Sequence, residues 1–303
     1  MDSAIFELLT DIVGQDQILV DEPMKNHTSF KIGGPVDFLV LPKNVKEIKG
    51  IVNICKSKGI PLFIMGNGSN LLVRDKGIRG VVIKIAKNFS HVDIISDRIV
   101  AQSGVLLSSL AKILLRHELT GFEFASGIPG TLGGAVTMNA GAYGGEMKDV
   151  LVSIEVMDME GNVFELHGAE MKLGYRRSVV QDRDLIVLSA ILQLKKGEYQ
   201  DIKALMDDLD HRRKTKQPLE WPSAGSTFRR PPGYFAGKLV QDVGMRGFSN
   251  GNAQVSDLHC GFVINRGNAT AQEVIDLISM IQKRVKEKFG VELHTEVKVI
   301  GEE

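Results

Sequence analysis

Two glycine strings hold the residues in this sequence best suited to chemistry. The first, Gly66-Asn67-Gly68-Ser69-Asn70, follows the short apolar run Leu62–Met65. Glycine tolerates positive φ and close approach, so a strand running into such a string can turn main-chain N–H groups toward one anion. A tight turn between strands would use the same residues. The second string is Ser126-Gly127-Ile128-Pro129-Gly130-Thr131-Leu132-Gly133-Gly134, followed by Asn139-Ala140-Gly141-Ala142-Tyr143-Gly144-Gly145. Of the 32 glycines, eight fall between Gly121 and Gly145. A run of small side chains this long offers a groove where an extended dinucleotide can lie against main chain. Close packing of strands is the competing reading. No GxGxxG opens a helix here and no GxxxxGK[ST] occurs, so neither a Rossmann fingerprint nor a P-loop is present. Gly233–Lys238 is one residue short of a P-loop and lacks its Ser/Thr.

The third feature is charge. Lys+Arg and Asp+Glu are both 37, so the formal net charge is zero. That argues against a nucleic-acid coat or a chain held on membranes by bulk charge. Between His211 and Arg246, however, Arg212, Arg213, Lys214, Lys216, Arg229, Arg230, Lys238 and Arg246 stand against only Glu220 and Asp242, a local +6. A basic, glycine-bearing loop segment suits a multiply charged small anion. A solvated basic face is the plain alternative. RNA is the weaker one, because Trp221, Phe228, Tyr234, Phe235 and Phe248 form no stacking motif.

Several chemistries are excluded. The seven histidines form no HExxH or paired His/Cys set, which argues against a protein metal site. No GxSxG elbow occurs. His259 and Cys260 are adjacent, and if they lie on a strand they face opposite sides, so both read as packing residues. Cys55 and Cys260 are the only cysteines and read as reduced thiols of a cytoplasmic chain.

The elements that must position these residues are legible from periodicity. Val36–Leu41 reads as a strand. Val45–Ser57 reads as a helix with Ile48, Ile51, Val52 and Cys55 on one face, stopped by Gly59, and Leu62–Met65 as the next strand. Leu71–Val73, Val81–Ile85 and Arg98–Gln102 read as strands and Leu107–Glu118 as an amphipathic helix. The stretch Phe124–Gly145 is uncharged and contains seven glycines. It is a poor helix, a poor membrane span and a good main-chain surface. Val150–Met157, Val163–Leu166 and Leu185–Leu194 follow as strands, the first two joined by a turn at Glu160-Gly161-Asn162. Lys195-Lys196-Gly197 reads as a boundary. Beyond it come a helix over Tyr199–Arg213 with Ile202, Leu205, Met206 and Leu209 inward, and helices near Phe235–Val243 and Ala271–Phe289. Short strands are expected at Ala253–Val255 and Phe262–Asn265, and one continuous strand over Val291–Ile300. On it Glu292, His294, Glu296 and Lys298 share the polar face.

At 303 residues the chain suits two or three domains, and 43% hydrophobic with 24% charged content is ordinary for a globular protein. The N-terminus has apolar residues at helical spacing among Asp2, Glu7 and Asp11, with no basic region, so it does not read as a signal peptide.

In order along nearly the whole chain, the motifs are similar to those of the UDP-N-acetylenolpyruvoylglucosamine reductase family. They are Asn26-His27-Thr28-Ser29-Phe30 with Gly33-Gly34; Gly66 to Val73; Gly127 to Gly134 and Asn139 to Tyr143; Tyr175-Arg176-Arg177-Ser178; Pro222-Ser223-Ala224-Gly225-Ser226-Thr227-Phe228; and Glu296-Val297 with Ile300-Gly301. The resemblance implies an α+β chain: a two-part FAD-binding module of the vanillyl-alcohol-oxidase or PCMH type, plus a smaller α+β substrate-binding domain. The expected spans are 1–65 and 66–197 for the two FAD-binding subdomains (the module proper over about 27–195) and 198–303 for the substrate domain, whose last strand returns to the active site.

The implied activity belongs to peptidoglycan precursor synthesis in the cytoplasm. NADPH is the co-substrate that reduces FAD, and UDP-N-acetylglucosamine enolpyruvate is then reduced to UDP-N-acetylmuramate. Implied FAD contacts are Gly66, Asn67, Gly68, Ser69, Asn70, Leu71, Ser126, Gly127, Ile128, Pro129, Gly130, Thr131, Gly133, Gly134, Asn139 and Gly141. The implied catalytic residues are Arg176, stabilising enolate-like charge, Ser226, donating the proton, and Glu296, assisting it. Tyr175, Arg213, Lys216, Arg230, Lys238 and Arg246 are expected at the substrate. Arg230 stands where longer members carry Asn, which leaves that contact open. Little room exists between Leu194 and Lys216 for the tyrosine loop that closes over substrate in longer members, so the chain resembles the shorter subtype. Neither a nucleic-acid nor a membrane partner is expected, and the chain reads as a monomer. Another oxidase of the same flavoprotein fold, or a non-catalytic nucleotide-sugar binder, are the competing readings.

Overall fold

The computed structural model describes residues 3–303; Met1 and Asp2 of the expected N-terminal helix lie outside the described residues. In chain order the elements are α1 (Ser3–Val13), β1 (Ile18–Pro23), β2 (Pro35–Val40), α2 (Val45–Lys58), β3 (Leu62–Met65), β4 (Leu71–Val73), β5 (Ile78–Lys84), β6 (Val92–Ile95), β7 (Arg98–Gln102) and α3 (Leu107–Arg116). Then come β8 (Leu119–Thr120), α4 (Leu132–Thr137), β9 (Gly141–Ala142), β10 (Gly145–Glu146), β11 (Leu151–Met157), β12 (Val163–His167), α5 (Val179–Asp182), β13 (Ile186–Gln193) and β14 (Lys195–Lys196). The chain closes with α6 (Tyr199–Lys216), α7 (Ala236–Asp242), β15 (Ser249–Asn250), β16 (Ala253–Val255), β17 (Val263–Asn265), α8 (Ala271–Phe289) and β18 (Lys298–Ile300).

The chain divides into two compact units, neither of them one continuous segment. The first takes the chain up to Val20, Phe38–Asn67 and Gly80–Arg213. Its five-stranded sheet has the order β12-β11-β13-β7-β6, antiparallel throughout. The β11–β12 turn forms because the Asp158 carboxylate accepts the N–H groups of Glu160 and Asn162, with Gly161 at φ 80°. Bonds from Asn162 hold that carboxyl below the usual range. Two apolar clusters fill the unit. One joins α3, α4 and the five-stranded sheet through Leu107, Leu110, Leu132, Val136, Ile154 and Leu192. The other packs α1 and α2 through Leu9, Ile48, Ile51 and Val52 against Val81 and Ile83, where β5 runs parallel to β3. α2 starts where Asn44 accepts the Glu47 N–H and stops at Gly59, in the left-handed region at φ 64°.

The second unit is Asp21–Asp37, Gly68–Arg79 and Lys214–Glu303. Its core gathers Val274, Leu277, Ile278, Ile281 and Val285 from α8 with Val255, Val263 and Leu293, and draws in Phe30, Ile32 and Leu72 from far earlier in the chain. α8 begins with a Thr270/Glu273 capping box, and Asp75 accepts the N–H groups of Ala271 and Gln272.

Four expectations change. The segment expected to be one strand over Val291–Ile300 pairs with two different neighbours instead. Thr295 bridges Phe228 in antiparallel fashion, whereas only Lys298–Ile300 forms β18, parallel to Leu71–Val73 of β4. The glycine-rich stretch, read as a poor helix, contains the six-residue α4. Its buried Leu132, Ala135 and Val136 supply a helical stripe that outweighs the two glycines beside it. Leu205, expected inside α6, is exposed, and only Ile202 and Leu209 of that helix are buried. His259 and Cys260 lie in a loop, where the Gly261 N–H donates to His259 Nδ1. Both thiols are free and buried, and burial raises Cys55 to about 11 and moves Cys260 in the same direction.

Candidate functional site

The candidate residues divide between the units, so each set is built on its own ground. In the first unit, β3 ends at Met65 and delivers Gly66 against Thr131, the N-cap residue of α4. A Cβ on Gly66 would lie 2.1 Å from Thr131 Oγ1, so only glycine admits this approach. Asn67 Nδ2 donates to Pro129 O at 2.8 Å and ties the first glycine string to the second. The second string is held from behind by the loop ahead of α3. Leu107 N donates to Gly130 O, Leu132 N to Val105 O and Gly133 N to Ser103 O. A Cβ on Gly133 would meet Ser103 Cβ at 2.8 Å, and the Ser103 hydroxyl is buried with no hydrogen-bond partner among the described residues. At Gly127 the neighbour is Arg213, whose Cδ and Nη1 would each lie 3.1 Å from a Cβ there. Burial lowers the Arg213 pKa, and Tyr143 and Asp210 oppose that shift.

Arg176 stands at the tip of a tight turn. Gly174 and Arg177 exchange N–H···O bonds of 3.0 and 3.2 Å, leaving Tyr175 and Arg176 as the two turn residues. Arg176 takes φ 56°, in the left-handed region that residues other than Gly, Asn and Asp seldom adopt. Its guanidinium lies 5.1 Å from the Tyr175 ring centre, and Nη2 donates to Gly141 O at 3.4 Å. Asn139 is fully buried and donates to Gly174 O at 3.1 Å and to Glu146 Oε2 at 2.7 Å, while its own oxygen accepts the Lys148 N–H. The Asn139 side chain therefore engages protein groups at both ends of its amide.

In the second unit, Gly68, Ser69 and Asn70 continue the first glycine string into β4. Asn70 Nδ2 donates to Glu296 O at 3.1 Å, and Lys298 N donates to Asn70 O at 3.0 Å. Glu296 is thus fixed by its backbone on both sides, since its N–H donates to Thr227 O at 2.8 Å. That bond and the Phe228–Thr295 bridge set Ser226 one residue away from the position opposite Glu296. Ser226 is exposed at the end of a turn made by Gly225 at φ 76°, while Thr227 is buried and receives the Val263 N–H on its hydroxyl.

The basic residues are not equivalent. Arg230 lies 4.0 Å over the exposed Phe235 ring and donates from Nε to Tyr234 O. Lys238 pairs with Asp242 at 2.5 Å. Arg246 donates to Asp257 O and to Gln241 Oε1. Lys216 ends α6 and is exposed. Motif reading left out Gln181, whose amide donates to Thr137 O at 2.6 Å and to Arg176 O at 3.3 Å. No motif or periodicity marked it. Among the described residues no His, Cys, Asp or Glu cluster could hold a metal, and no helix is long and apolar enough to cross a membrane.

Comparison with known proteins gives two family matches. Residues 36–167 match an FAD binding domain, and residues 217–300 match the C-terminal domain of UDP-N-acetylenolpyruvoylglucosamine reductase. The chain is similar to the reductase of that name from Clostridioides difficile (strain 630), 56% identical over 99% of this chain and 98% of that one. It is 54% identical to the one from Alkaliphilus metalliredigens over 98% of each. A solved structure of UDP-N-acetylenolpyruvylglucosamine reductase from Thermus caldophilus superposes with TM-score 0.79 at 34% identity, covering 93% of this chain and 97% of that one. The glucose dehydrogenase Phl p 4.0202 shares only the fold, with TM-score 0.53 at 11% identity.

Proposed function

This chain belongs to the UDP-N-acetylenolpyruvoylglucosamine reductase family, and on that premise we propose that Arg176, Ser226 and Glu296 carry its reaction. It is an FAD-dependent oxidoreductase of peptidoglycan precursor synthesis that uses NADPH to reduce UDP-N-acetylglucosamine enolpyruvate to UDP-N-acetylmuramate. The observation that carries this is identity of 56% over 99% of the chain, with both family matches present in order. The flavoprotein fold of the vanillyl-alcohol-oxidase type agrees with it.

The glycine strings fit a dinucleotide. Gly66, Gly127 and Gly133 stand where a Cβ would strike Thr131, Arg213 or Ser103, so glycine lets the two strings pack closely against their supports, and the FAD binding domain match over residues 36–167 is what assigns them to the dinucleotide. In the first unit, Gly66, Asn67, Ser126–Thr131, Gly133 and Gly134 would hold the FAD. Bound FAD supplies the hydride chemistry, from NADPH to the enolpyruvyl methylene carbon.

The protein's own residues handle charge and proton. Arg176, always cationic and forked, takes the negative charge that builds toward the substrate carboxylate. Ser226 gives its hydroxyl proton to the second enolpyruvyl carbon, completing reduction of the double bond. A serine is a poor acid in water, so proton donation by Ser226 would need positive charge brought close to its oxygen. Glu296, held by its backbone against Thr227 and Asn70, assists that proton transfer. Lys216 and Arg230 hold the diphosphate. Arg213, packed against Gly127, belongs with the glycine strings. A chain that uses NADPH and a sugar nucleotide works in the cytoplasm.

The test is direct. The purified protein should be yellow, with absorbance at about 450 nm from bound flavin. Anaerobic NADPH should bleach it, and the enolpyruvyl sugar nucleotide should restore the colour stoichiometrically. A protein that holds flavin but is not reoxidised by that sugar would point instead to another oxidase of the fold.

A further inference from the structure

The turn that carries Arg176 is held from outside as well as by its own bonds. Arg176 is in the left-handed region, which a residue with a Cβ adopts only where its surroundings fix it. Within the turn, Gly174 and Arg177 exchange two backbone bonds and the Arg176 guanidinium lies over the Tyr175 ring. Further restraint comes from the segment after α4 and from α5. Asn139, itself at φ 40°, donates to the carbonyl at the base of the turn, Gly174 O. Gln181 donates to the carbonyl of Arg176 itself, at 3.3 Å. Gln181 and Ser178 both anchor on Thr137 O, at 2.6 and 2.7 Å. Gly141 O receives the Arg176 guanidinium. The end of the glycine-rich string thus doubles as the scaffold of the catalytic turn.

We propose that Asn139 and Gln181 are positioning residues for Arg176. They fix the turn from its base and from its peptide, and so set the guanidinium where substrate charge develops. Asn139 acts through this turn rather than by touching cofactor, since its amide is fully buried and bonded to Gly174, Glu146 and Lys148. The proposal rests on Arg176 stabilising charge in the reaction. A misplacement of about 1 Å in such a group can cost ~10²-fold in rate.

The experiment separates the two half-reactions in Asn139→Ala and in Gln181→Met. Gln181 is only half-buried and methionine keeps its length without the donor, so that variant tests the idea even where Asn139→Ala fails to fold. Flavin content, melting temperature, anaerobic reduction by NADPH and reoxidation by the enolpyruvyl sugar are measured for each, alone and combined with Arg176→Ala. Expected are flavin content and NADPH reduction within about twofold of wild type, and limiting reoxidation slower by roughly 10- to 100-fold with a nearly unchanged KM for the sugar. In the Arg176→Ala background the same substitutions should add less than about twofold, because the group they position is gone. Equal slowing of both half-reactions, loss of flavin, or undiminished effects in the Arg176→Ala background would overturn the positioning role. Arg176→Ala reoxidised at the wild-type rate would remove Arg176 from the reaction, and the inference with it.

Discussion

Ser226, Arg176 and Glu296 differ in how the protein holds them, and the difference bears on what each substitution should do. Glu296 is locked through its backbone by Asn70 and Thr227. Arg176 is locked through a turn built by other residues. Ser226 is exposed, and only the pairing next to it is fixed. Removing its hydroxyl should therefore leave folding untouched and act on chemistry alone. We expect Ser226→Ala to bind flavin and be reduced by NADPH at the wild-type rate, while reoxidation by the enolpyruvyl sugar falls ~10²–10⁴-fold, the usual worth of a general acid. Stopped-flow absorbance resolves both steps, and a wild-type reoxidation rate would remove Ser226 from the reaction. None of these three residues is picked out by spacing or periodicity. Glu296 shares a polar alternation with three neighbours, and Arg176 lies beside Arg177 and near Arg183. Only the ordered family motifs single them out. Gln181 has no motif, and its role is readable only from the carbonyls it reaches.

At the scale of elements, the glycines were legible as a surface for close approach, but what they approach was not. Gly66 faces Thr131, some sixty-five positions along the chain, and nothing in either neighbourhood reports the other. Thr131 is 1% exposed, so it cannot swing aside. We expect Gly66→Ala to destabilise the protein by about 1–3 kcal/mol through overpacking and to lower flavin content at the same time. Adding Thr131→Ala should recover part of both, because the oxygen at 2.1 Å is then absent. Thermal melting and the ratio of flavin to protein absorbance measure the two effects, and an unaltered Gly66→Ala protein would contradict this account. Most helices and strands follow the apolar periodicity within a residue or two, since each buries one face. Two of the failures have a common cause. Val291–Ile300 alternates like a strand but divides its pairing between Phe228 and β4, and α4 forms amid glycines because Leu132, Ala135 and Val136 find a core to fill. In both places tertiary partners override a local pattern.

The whole chain is woven rather than strung, for it passes between the two compact units at 20/21, 37/38, 67/68, 79/80 and 213/214. The family match over residues 217–300 suggests a C-terminal piece that could be cut free, but the packing argues otherwise. The core around α8 requires Phe30, Ile32 and Leu72, each nearly or fully buried there. Its strand β18 pairs with Leu71–Val73, and the first turn of α8 is capped by Asp75. Burying three such side chains contributes roughly 1.5–3 kcal/mol each, comparable in sum to the ~5–15 kcal/mol that keeps a domain folded. A fragment beginning at Lys214 loses all of these partners, and a fragment ending at Arg213 keeps them with nothing to bury them against. We therefore expect the fragment beginning at Lys214 not to melt cooperatively, while the 1–213 fragment keeps both cores of the first unit. The 1–213 fragment should also bind a hydrophobic dye such as ANS far more strongly than the full chain, through Phe30, Ile32 and Leu72. Calorimetry and dye fluorescence on the two fragments and on the full chain make the comparison. A sharp cooperative melt from the fragment beginning at Lys214 would mean that its core is complete without the early segments, against the packing of Phe30, Ile32 and Leu72 with α8.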